Sequence, residues 1–189
     1  MRSLPRLSAL AGVLLALTML VAPAHARAAR TDGLPSKKVW LHDVAVAMKP
    51  AIPSLQRRVA RGGDRLAVVL DIDNTALATH YAWPRPVRKT LAFARRAAEL
   101  DVSVFFVTGR YAADAKRQRP TLRRAGYTVD GICGRRSGEG LVASKTRCRR
   151  SLVARGYTII ASVGNLPSDV RGGYVERSFD LPDYGRRLS

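Results

Sequence analysis

Short apolar runs that alternate with amphipathic stretches constrain the fold of this chain more than any other feature. The runs cover residues 66–70, 102–107, 128–133 and 158–163, and helical patterns at 88–100, 112–125 and around 145–154 separate them. Continuous Val, Ile, Leu and Phe without period-two alternation predicts strands that are buried on both faces. Intervening helices provide the crossovers that parallel strands need. We therefore predict an α/β fold with a doubly wound, mainly parallel sheet and a short tail strand near residues 174–179.

The segment before the first run has a helical pattern of its own. Apolar residues recur between residues 39 and 59, and Pro50 and Pro53 interrupt them, which predicts two short helices with a kink between them. Residues 27–36 are small, basic and broken by Gly33 and Pro35, which is typical of a flexible lead-in. The main domain is therefore predicted to cover residues 37–189.

The first 26 residues have the pattern of a cleaved signal peptide. Arg2 and Arg6 precede an apolar run over residues 7–22, and Ala24-His25-Ala26 provides a cleavage site. The alternative is a retained membrane anchor, but 16 residues fall short of the roughly 20 that span a bilayer. We expect a protein that is secreted, to the exterior or the periplasm, and that has no membrane contact after cleavage.

The formal net charge of +19 would attract phosphate, nucleic acid or an anionic surface. The alternative is a coding sequence rich in GC, which yields many arginines without a functional reason. The charge is thus compatible with an anionic ligand and does not by itself identify one.

Polar residues follow the apolar runs, where the carboxyl ends of parallel strands form the ligand site of such a sheet. Asp71 and Asp73 come directly after the first run, and two carboxylates two residues apart in an extended segment leave the same face. A hard cation such as Mg²⁺ would offset their repulsion. The alternative is an ordinary polar turn.

Three further groups stand at the ends of later elements. Thr108, Gly109 and Arg110 end the second run and lead into the helix predicted from residue 112, where they would form a phosphate cradle at its N-terminus. Lys145 is predicted in the first turn of a later helix, and Asn165 and Asp169 follow the fourth run. Each feature alone also fits a simple turn or a solvated basic helix face.

The order of these motifs resembles the haloacid dehalogenase (HAD) superfamily of phosphatases. The phrase Asp-Ile-Asp-Asn-Thr, the neighbourhood of Lys145, and the ending Phe-Asp-Leu-Pro are most similar to the secreted acid phosphatases of the plant and bacterial class B type, HAD subfamily IIIB. The resemblance covers residues 36–185 and implies a Rossmann-like sheet with a minimal cap. The segment 80–86, with His, Tyr and Trp, would then be the main specificity flap, or else a packed turn.

The resemblance implies a role for each site residue. Asp71 would be the nucleophile that forms an aspartyl-phosphate, and Asp73 the general acid and base. Thr108, Gly109, Arg110 and Lys145 would bind the phosphoryl group. Mg²⁺ would be held at Asp71, Asp73, Asn165 and Asp169.

Asn165 is a departure from the family pattern, because the first position of the last motif is usually Asp. An amide oxygen can still ligate a hard cation, but one negative charge is lost. The expectation is therefore a weakened Mg²⁺ site, with Asp169 as a ligand that compensates.

Cys133 and Cys148 are the two cysteines of the chain. Outside the cytosol such a pair can form a lasting disulfide, and two buried free thiols are the alternative. A zinc site at the pair is excluded, because His42 and His80 have no zinc-like spacing to it. In the layout of the family, Cys133 ends a strand and Cys148 lies in the helix that returns beside it.

These observations together predict an exported, Mg²⁺-dependent phosphatase for small organic phosphomonoesters. A second hypothesis is a catalytically weak HAD-like protein that binds phosphorylated or anionic ligands. Action on nucleic-acid ends is disfavoured, since only 6% of residues are aromatic and no stacking platform of several aromatics is present.

Overall fold

A parallel sheet of five strands organises residues 33–188, which this computed structural model describes. Its strands lie in the order β3-β2-β1-β4-β5, and every neighbouring pair is parallel. The α/β prediction is confirmed. The chain winds outward on both sides of β1, so the switch point lies beside the carboxyl end of this strand. The strands are β1 (Leu66–Leu70), β2 (Ser103–Tyr111), β3 (Gly131–Arg135), β4 (Thr158–Gly164) and β5 (Ser178–Asp180).

Helices cover both faces of the sheet, and a 3₁₀ turn (Pro167–Asp169) follows β4. Ser36 caps the first helix by accepting a hydrogen bond from the backbone N of Val39, and the second helix begins directly after Pro50. The predicted pair of short N-terminal helices is therefore confirmed. The helices are α1 (Lys37–Ala47), α2 (Ala51–Val59), α3 (Thr79–Ala82), α4 (Arg88–Glu99), α5 (Ala112–Arg117), α6 (Arg119–Arg124) and α7 (Leu141–Ala154).

The two faces of β1 pack into different hydrophobic clusters. Val68 and Leu70 belong to the larger cluster, which includes Trp40 and Phe93, whereas Val69 belongs to a smaller cluster on the other face. Burial of both faces is the reason that the strand sequence is apolar throughout.

Several predicted boundaries differ from the structure. The tail strand predicted near residues 174–179 is β5, which covers only Ser178–Asp180. β2 continues to Tyr111, so Thr108, Gly109 and Arg110 lie within the strand instead of after it, and the next helix begins at Ala112 as predicted. The single helix expected over residues 112–125 is divided into α5 and α6, and Pro120 lies in the first turn of α6. β3 begins only at Gly131, and the side chain of the preceding Asp130 accepts a hydrogen bond from the backbone N of Val104 at 2.6 Å. Finally, α7 begins at Leu141, which places Lys145 in its second turn.

The predictions for residues 1–26, and for most of the lead-in at 27–36, lie outside the described residues. At the end of the lead-in, Leu34 packs against the core and the Pro35 carbonyl accepts a hydrogen bond from Tyr81 Oη at 2.8 Å. These contacts begin before residue 37, where we had predicted the domain to start. Within residues 33–188, no helix is long and apolar enough to cross a membrane.

Candidate active site

The carboxyl ends of the central strands and the first half of α7 surround a cavity of about 260 Å³. Several of the predicted site residues meet there, although they lie far apart in the sequence. The lining residues are Asp71, Asp73, Gly109, Arg110, Leu141, Lys145, Leu166 and Leu188.

Lys145 links two carboxylates inside this site. Its Nζ donates hydrogen bonds to Oδ1 of Asp71, at 2.9 Å, and to Oδ1 of Asp169. The three side chains are almost completely buried, with 2% of Lys145, 6% of Asp71 and 2% of Asp169 exposed. An ammonium group carries three N–H donors, so these two bonds leave one donor for a further acceptor.

The close approach of Asp169 depends on a glycine. Gly164 ends β4, and a Cβ atom at this position would clash with Cγ of Asp169. The second oxygen of Asp169 accepts a hydrogen bond from the backbone N of Leu166 at 2.9 Å. Both carboxylate oxygens are therefore held, and the side chain has one orientation toward Lys145.

Arg149 is a further site residue that the sequence analysis missed. It is completely buried, and its guanidinium donates to the carbonyls of Asp169 (3.0 Å), Gly173 (2.9 Å) and Arg171. It thus fixes the backbone that carries Asp169. The signal that could have identified it is the spacing of four from Lys145, which places both cations on one face of α7.

The charges of the buried group do not balance. Burial raises the pKa of Asp71 to about 7, although the attraction of Lys145 acts in the opposite direction. Burial alone would lower the pKa of Lys145, but the attraction of Asp71 and Asp169 and their hydrogen bonds raise it. One ammonium therefore faces two carboxylates, and the site favours an additional positive charge.

Asp73 lies in a more open environment. Arg110 donates to both of its oxygens, from Nε at 2.8 Å and from Nη2 at 2.6 Å, and Thr79 Oγ1 donates to Oδ1 at 2.8 Å. Both side chains of the pair are 28% exposed. The hydrogen bonds that Arg110 donates to Asp73 outweigh desolvation and raise the pKa of Arg110.

The predicted cradle at residues 108–110 has a different geometry from the one expected. Thr108 is buried, and its Oγ1 accepts a hydrogen bond from the backbone N of Arg110 at 3.2 Å. Gly109 and Arg110 line the cavity from the strand. The prediction that these residues follow the strand was wrong, because β2 resumes its pairing with β3 at Tyr111, after a register shift between Val107 and Tyr111.

Asn165 is buried at the end of β4, and both ends of its amide are engaged. Oδ1 accepts a hydrogen bond from Thr75 Oγ1 at 3.3 Å, and Nδ2 donates to the Leu188 carbonyl at 3.0 Å. The same carbonyl accepts from Asn74 Nδ2 at 2.9 Å. No motif or pattern in the sequence indicated that Leu188 lies at this site.

The donor chemistry of the buried group fits a hard divalent cation. Mg²⁺ binds carboxylate and carbonyl oxygens, and Asp71 and Asp169 offer carboxylates beside an uncompensated negative charge. Among residues 33–188, however, no group of three or more His, Cys, Asp or Glu side chains is arranged to hold a metal ion. Any cation would therefore need ligands other than these side chains as well.

The segment predicted as a specificity flap divides into an inner and an outer part. Tyr81 stacks on Trp40, with ring centroids 4.8 Å apart, and so packs against α1. Trp83 is 47% exposed, and the guanidinium of Arg110 lies 5.5 Å from its ring centroid. Of these two aromatic side chains, only Trp83 lies near the candidate active site.

A disulfide joins Cys133 in β3 to Cys148 in α7. Their Cα atoms are 5.9 Å apart, inside the usual range for a bridge. The bridge fastens α7, which carries both Lys145 and Arg149, to the sheet.

Two solved structures are similar to this fold. One is the class C acid phosphatase from Bacillus anthracis, with a TM-score of 0.64 and 16% sequence identity. The other is the same class of enzyme from that organism with tungstate bound, with a TM-score of 0.63 and 17% identity. Each comparison covers 79% of this chain and 80% of the other, and at this identity it supports the fold. No curated protein matches the sequence.

The sequence comparison with protein families covers more than half of the chain. Residues 78–187 match the family described as "HAD superfamily, subfamily IIIB (Acid phosphatase)". The matched segment contains Thr108, Lys145 and Asp169, and it begins after Asp71 and Asp73. The order of motifs, the parallel sheet and this match agree, and the chain belongs to the HAD superfamily, subfamily IIIB, whose members are acid phosphatases.

Proposed function

We propose that this acid phosphatase is an exported, Mg²⁺-dependent enzyme that hydrolyses small organic phosphomonoesters through an aspartyl-phosphate at Asp71. The observation that carries the proposal is the buried hydrogen bond from Lys145 to Asp71, next to Asp169. This arrangement orients the Asp71 carboxylate at the carboxyl end of β1, next to groups that can bind a phosphoryl ligand.

In the first half-reaction, a carboxylate oxygen of Asp71 attacks the phosphorus atom and the bond to the ester oxygen breaks. Oδ1 is hydrogen-bonded to Lys145, so Oδ2 is the attacking atom. The remaining donor of Lys145, the Thr108 hydroxyl and the backbone N–H of Gly109 bind the phosphoryl oxygens and stabilise their developing charge. Asp73 gives its proton to the leaving alkoxide.

In the second half-reaction, water attacks the phosphorus atom of the aspartyl-phosphate. Asp73 takes the proton of that water, the bond between phosphorus and Asp71 breaks, and inorganic phosphate leaves. Both roles require Asp73 to exchange a proton, which its two hydrogen bonds from Arg110 oppose. A substrate phosphoryl group competes for that guanidinium and so releases Asp73 when the site is filled.

Mg²⁺ would be held by Asp71, by Asp169 and by the backbone at Asp73, with the amide of Asn165 nearby. When bound, the cation neutralises charge on the phosphoryl group and on the carboxylates. The uncompensated charge of the buried group supports this assignment.

Export rests on the leader at residues 1–26 and agrees with a disulfide in the domain, which persists in oxidising compartments. The test is the intact mass of protein recovered outside the cytoplasm. We expect a chain that begins at Arg27 and lacks two hydrogens relative to its reduced form. A chain that retains the leader, or that has two free thiols, would contradict the proposal.

The activity is tested with 4-nitrophenyl phosphate, with and without added Mg²⁺, after treatment with a chelator. We expect turnover that disappears on chelation and returns with Mg²⁺. A matched control is the Asp71→Asn variant under the same conditions. If the wild-type chain shows no turnover at any Mg²⁺ concentration, the alternative of a HAD-like binding protein replaces the proposal.

A further inference from the structure

The last residues of the chain form a turn against the active site. Within this turn, the backbone N atoms of Arg187 and Leu188 donate to the Asp183 carbonyl at 3.0 and 3.3 Å. Tyr184 Oη donates to Asp43 of α1 at 2.7 Å, which fastens the turn to the domain. Leu188 is 2% exposed, and its side chain belongs to the main core cluster. We call residues 183–188 the C-terminal turn.

Two buried amides hold the end of this turn. Nδ2 of Asn74 and Nδ2 of Asn165 both donate to the Leu188 carbonyl, at 2.9 and 3.0 Å. Their oxygens are also engaged, since Asn74 Oδ1 accepts from the backbone N of His80 at 2.8 Å and Asn165 Oδ1 accepts from Thr75. Both asparagines are 4% exposed.

This geometry requires amides at both positions. A carboxylate only accepts hydrogen bonds, so Asp at position 165 would direct an oxygen against the Leu188 carbonyl in a buried place. The departure from the family pattern at Asn165 therefore has a local cause, because its partner is a carbonyl oxygen of the chain itself.

Leu188 also forms part of the cavity around the reacting groups. Leu141, Leu166 and Leu188 are the apolar residues among those that line that cavity, which also include Asp71 and Asp73. Its volume of about 260 Å³ is just below the range typical for drug-sized ligands, roughly 300 to 1,000 Å³. The ester group that leaves toward Asp73 must share this space with Leu188.

We propose that Leu188 is a specificity-determining residue of this phosphatase, and that Asn74 and Asn165 clamp the C-terminal turn in place as an apolar wall for the leaving group. The substrate class is then a phosphomonoester with a small apolar or aromatic leaving group. The inference rests on the proposed function, because it assumes that Asp71 and Asp73 are the reacting groups.

The first experiment compares kcat/KM for phenyl phosphate and 1-naphthyl phosphate. Leu188→Ala removes part of the wall, so the ratio of naphthyl to phenyl turnover should rise about tenfold, as expected for a few carbon atoms in an apolar pocket. Leu152→Ala is the matched control, since Leu152 is a buried leucine of α7 in the cluster on the other face. It should leave the ratio unchanged. An unchanged ratio in active Leu188→Ala would overturn the assignment of Leu188.

The second experiment tests the clamp without using activity. Hydrogen exchange at the backbone amides of Arg187 and Leu188, which donate to the Asp183 carbonyl within the turn, reports how firmly the turn is held. We expect faster exchange in Asn74→Asp and Asn165→Asp than in the wild-type chain and in an Asp101→Asn control. Equal rates in all four proteins would overturn the clamp.

The two proposals fail in different ways. A wild-type chain that hydrolyses neither ester contradicts the proposed function, while the hydrogen-exchange rates still decide the clamp. A wild-type chain that hydrolyses both esters, together with an unchanged ratio in Leu188→Ala, contradicts the further inference alone.

Discussion

Lys145 and Arg110 both hold carboxylates at the same cavity, but they differ in burial and in charge balance. Lys145 is 2% exposed and is shared between Asp71 and Asp169. Arg110 is 28% exposed and is matched one to one with Asp73. The buried group has one ammonium for two carboxyl groups, whereas the partly exposed pair is matched in charge and open to solvent. In the proposed mechanism, the buried group provides the nucleophile and the partly exposed pair transfers the proton.

The largest effect is expected at the nucleophile. Asp71→Asn should reduce kcat by at least about 1,000-fold, because the amide cannot form the covalent intermediate. Thermal unfolding should remain cooperative, since the amide has nearly the same shape. The measurement is turnover of 4-nitrophenyl phosphate, with exposed Asp64→Asn as the control. Wild-type activity in Asp71→Asn would show that Asp71 is not the nucleophile.

The next prediction concerns stability. Lys145→Met leaves two buried carboxylates without a cation, and the free energy of unfolding should fall by about 3 to 5 kcal/mol. Arg110→Met leaves one half-exposed carboxylate, and the loss should stay below about 1 kcal/mol. Urea unfolding at neutral pH measures both. Equal losses in the free energy of unfolding would show that burial does not make the two ion pairs differ in their contribution to stability.

Asp73→Asn tests the general-acid role of Asp73, because the loss of activity should depend on the leaving group. Alkyl phosphates need a proton on departure, so their kcat should fall about 100-fold or more, whereas 4-nitrophenyl phosphate should lose about tenfold or less. Exposed Asp64→Asn is the control, and it should leave kcat unchanged for both substrates. The same loss for both esters in Asp73→Asn would be evidence against the acid role.

The smallest effect is expected at an ion pair outside the cavity. Hydrogen bonds from Arg147 and from the backbone N of Arg136 lower the pKa of Glu139 from 4.5 to about 2. Because the folded pKa is the lower one, the pair stabilises the fold above pH 4.5, and this contribution is lost as the pH falls toward 2.

Glu139→Gln should therefore be slightly less stable than the wild-type chain at pH 7, by less than Arg110→Met. The difference should shrink as the pH falls from 4.5 to 2, as urea unfolding at several pH values would show. A difference that does not change with pH would mean that Glu139 acts by packing rather than by charge.

The strands of this protein were predictable to within a few residues, and the positions of its helix boundaries were less so. The run at 66–70 coincides with β1, because burial on both faces requires five consecutive apolar residues. The strand through Thr108, Gly109 and Arg110 was not predicted, because these residues are typical of a turn and only pairing with β3 extends the strand. The break between α5 and α6 likewise depends on Pro120 in its tertiary setting.

For the site, motif order identified Asp71, Asp73, Lys145 and Asp169 as candidates, and the structure brings these four side chains to one end of the sheet. The sequence could not show that Arg110 binds Asp73 on both oxygens. It also missed Arg149, whose partners are backbone carbonyls and leave no pattern of side-chain types.

The sequence by itself determined the alternation of strands and helices, the candidate carboxylates and lysine, and the family of this protein. These follow from local patterns: apolar runs, short motifs and their order along the chain. Only the tertiary structure decided that one ammonium serves two buried carboxylates, and that Asn74 and Asn165 hold the C-terminal turn. The reason is that such contacts join residues that are far apart in the chain. These residues come within hydrogen-bonding distance, and become buried, only when the sheet and its helices pack together.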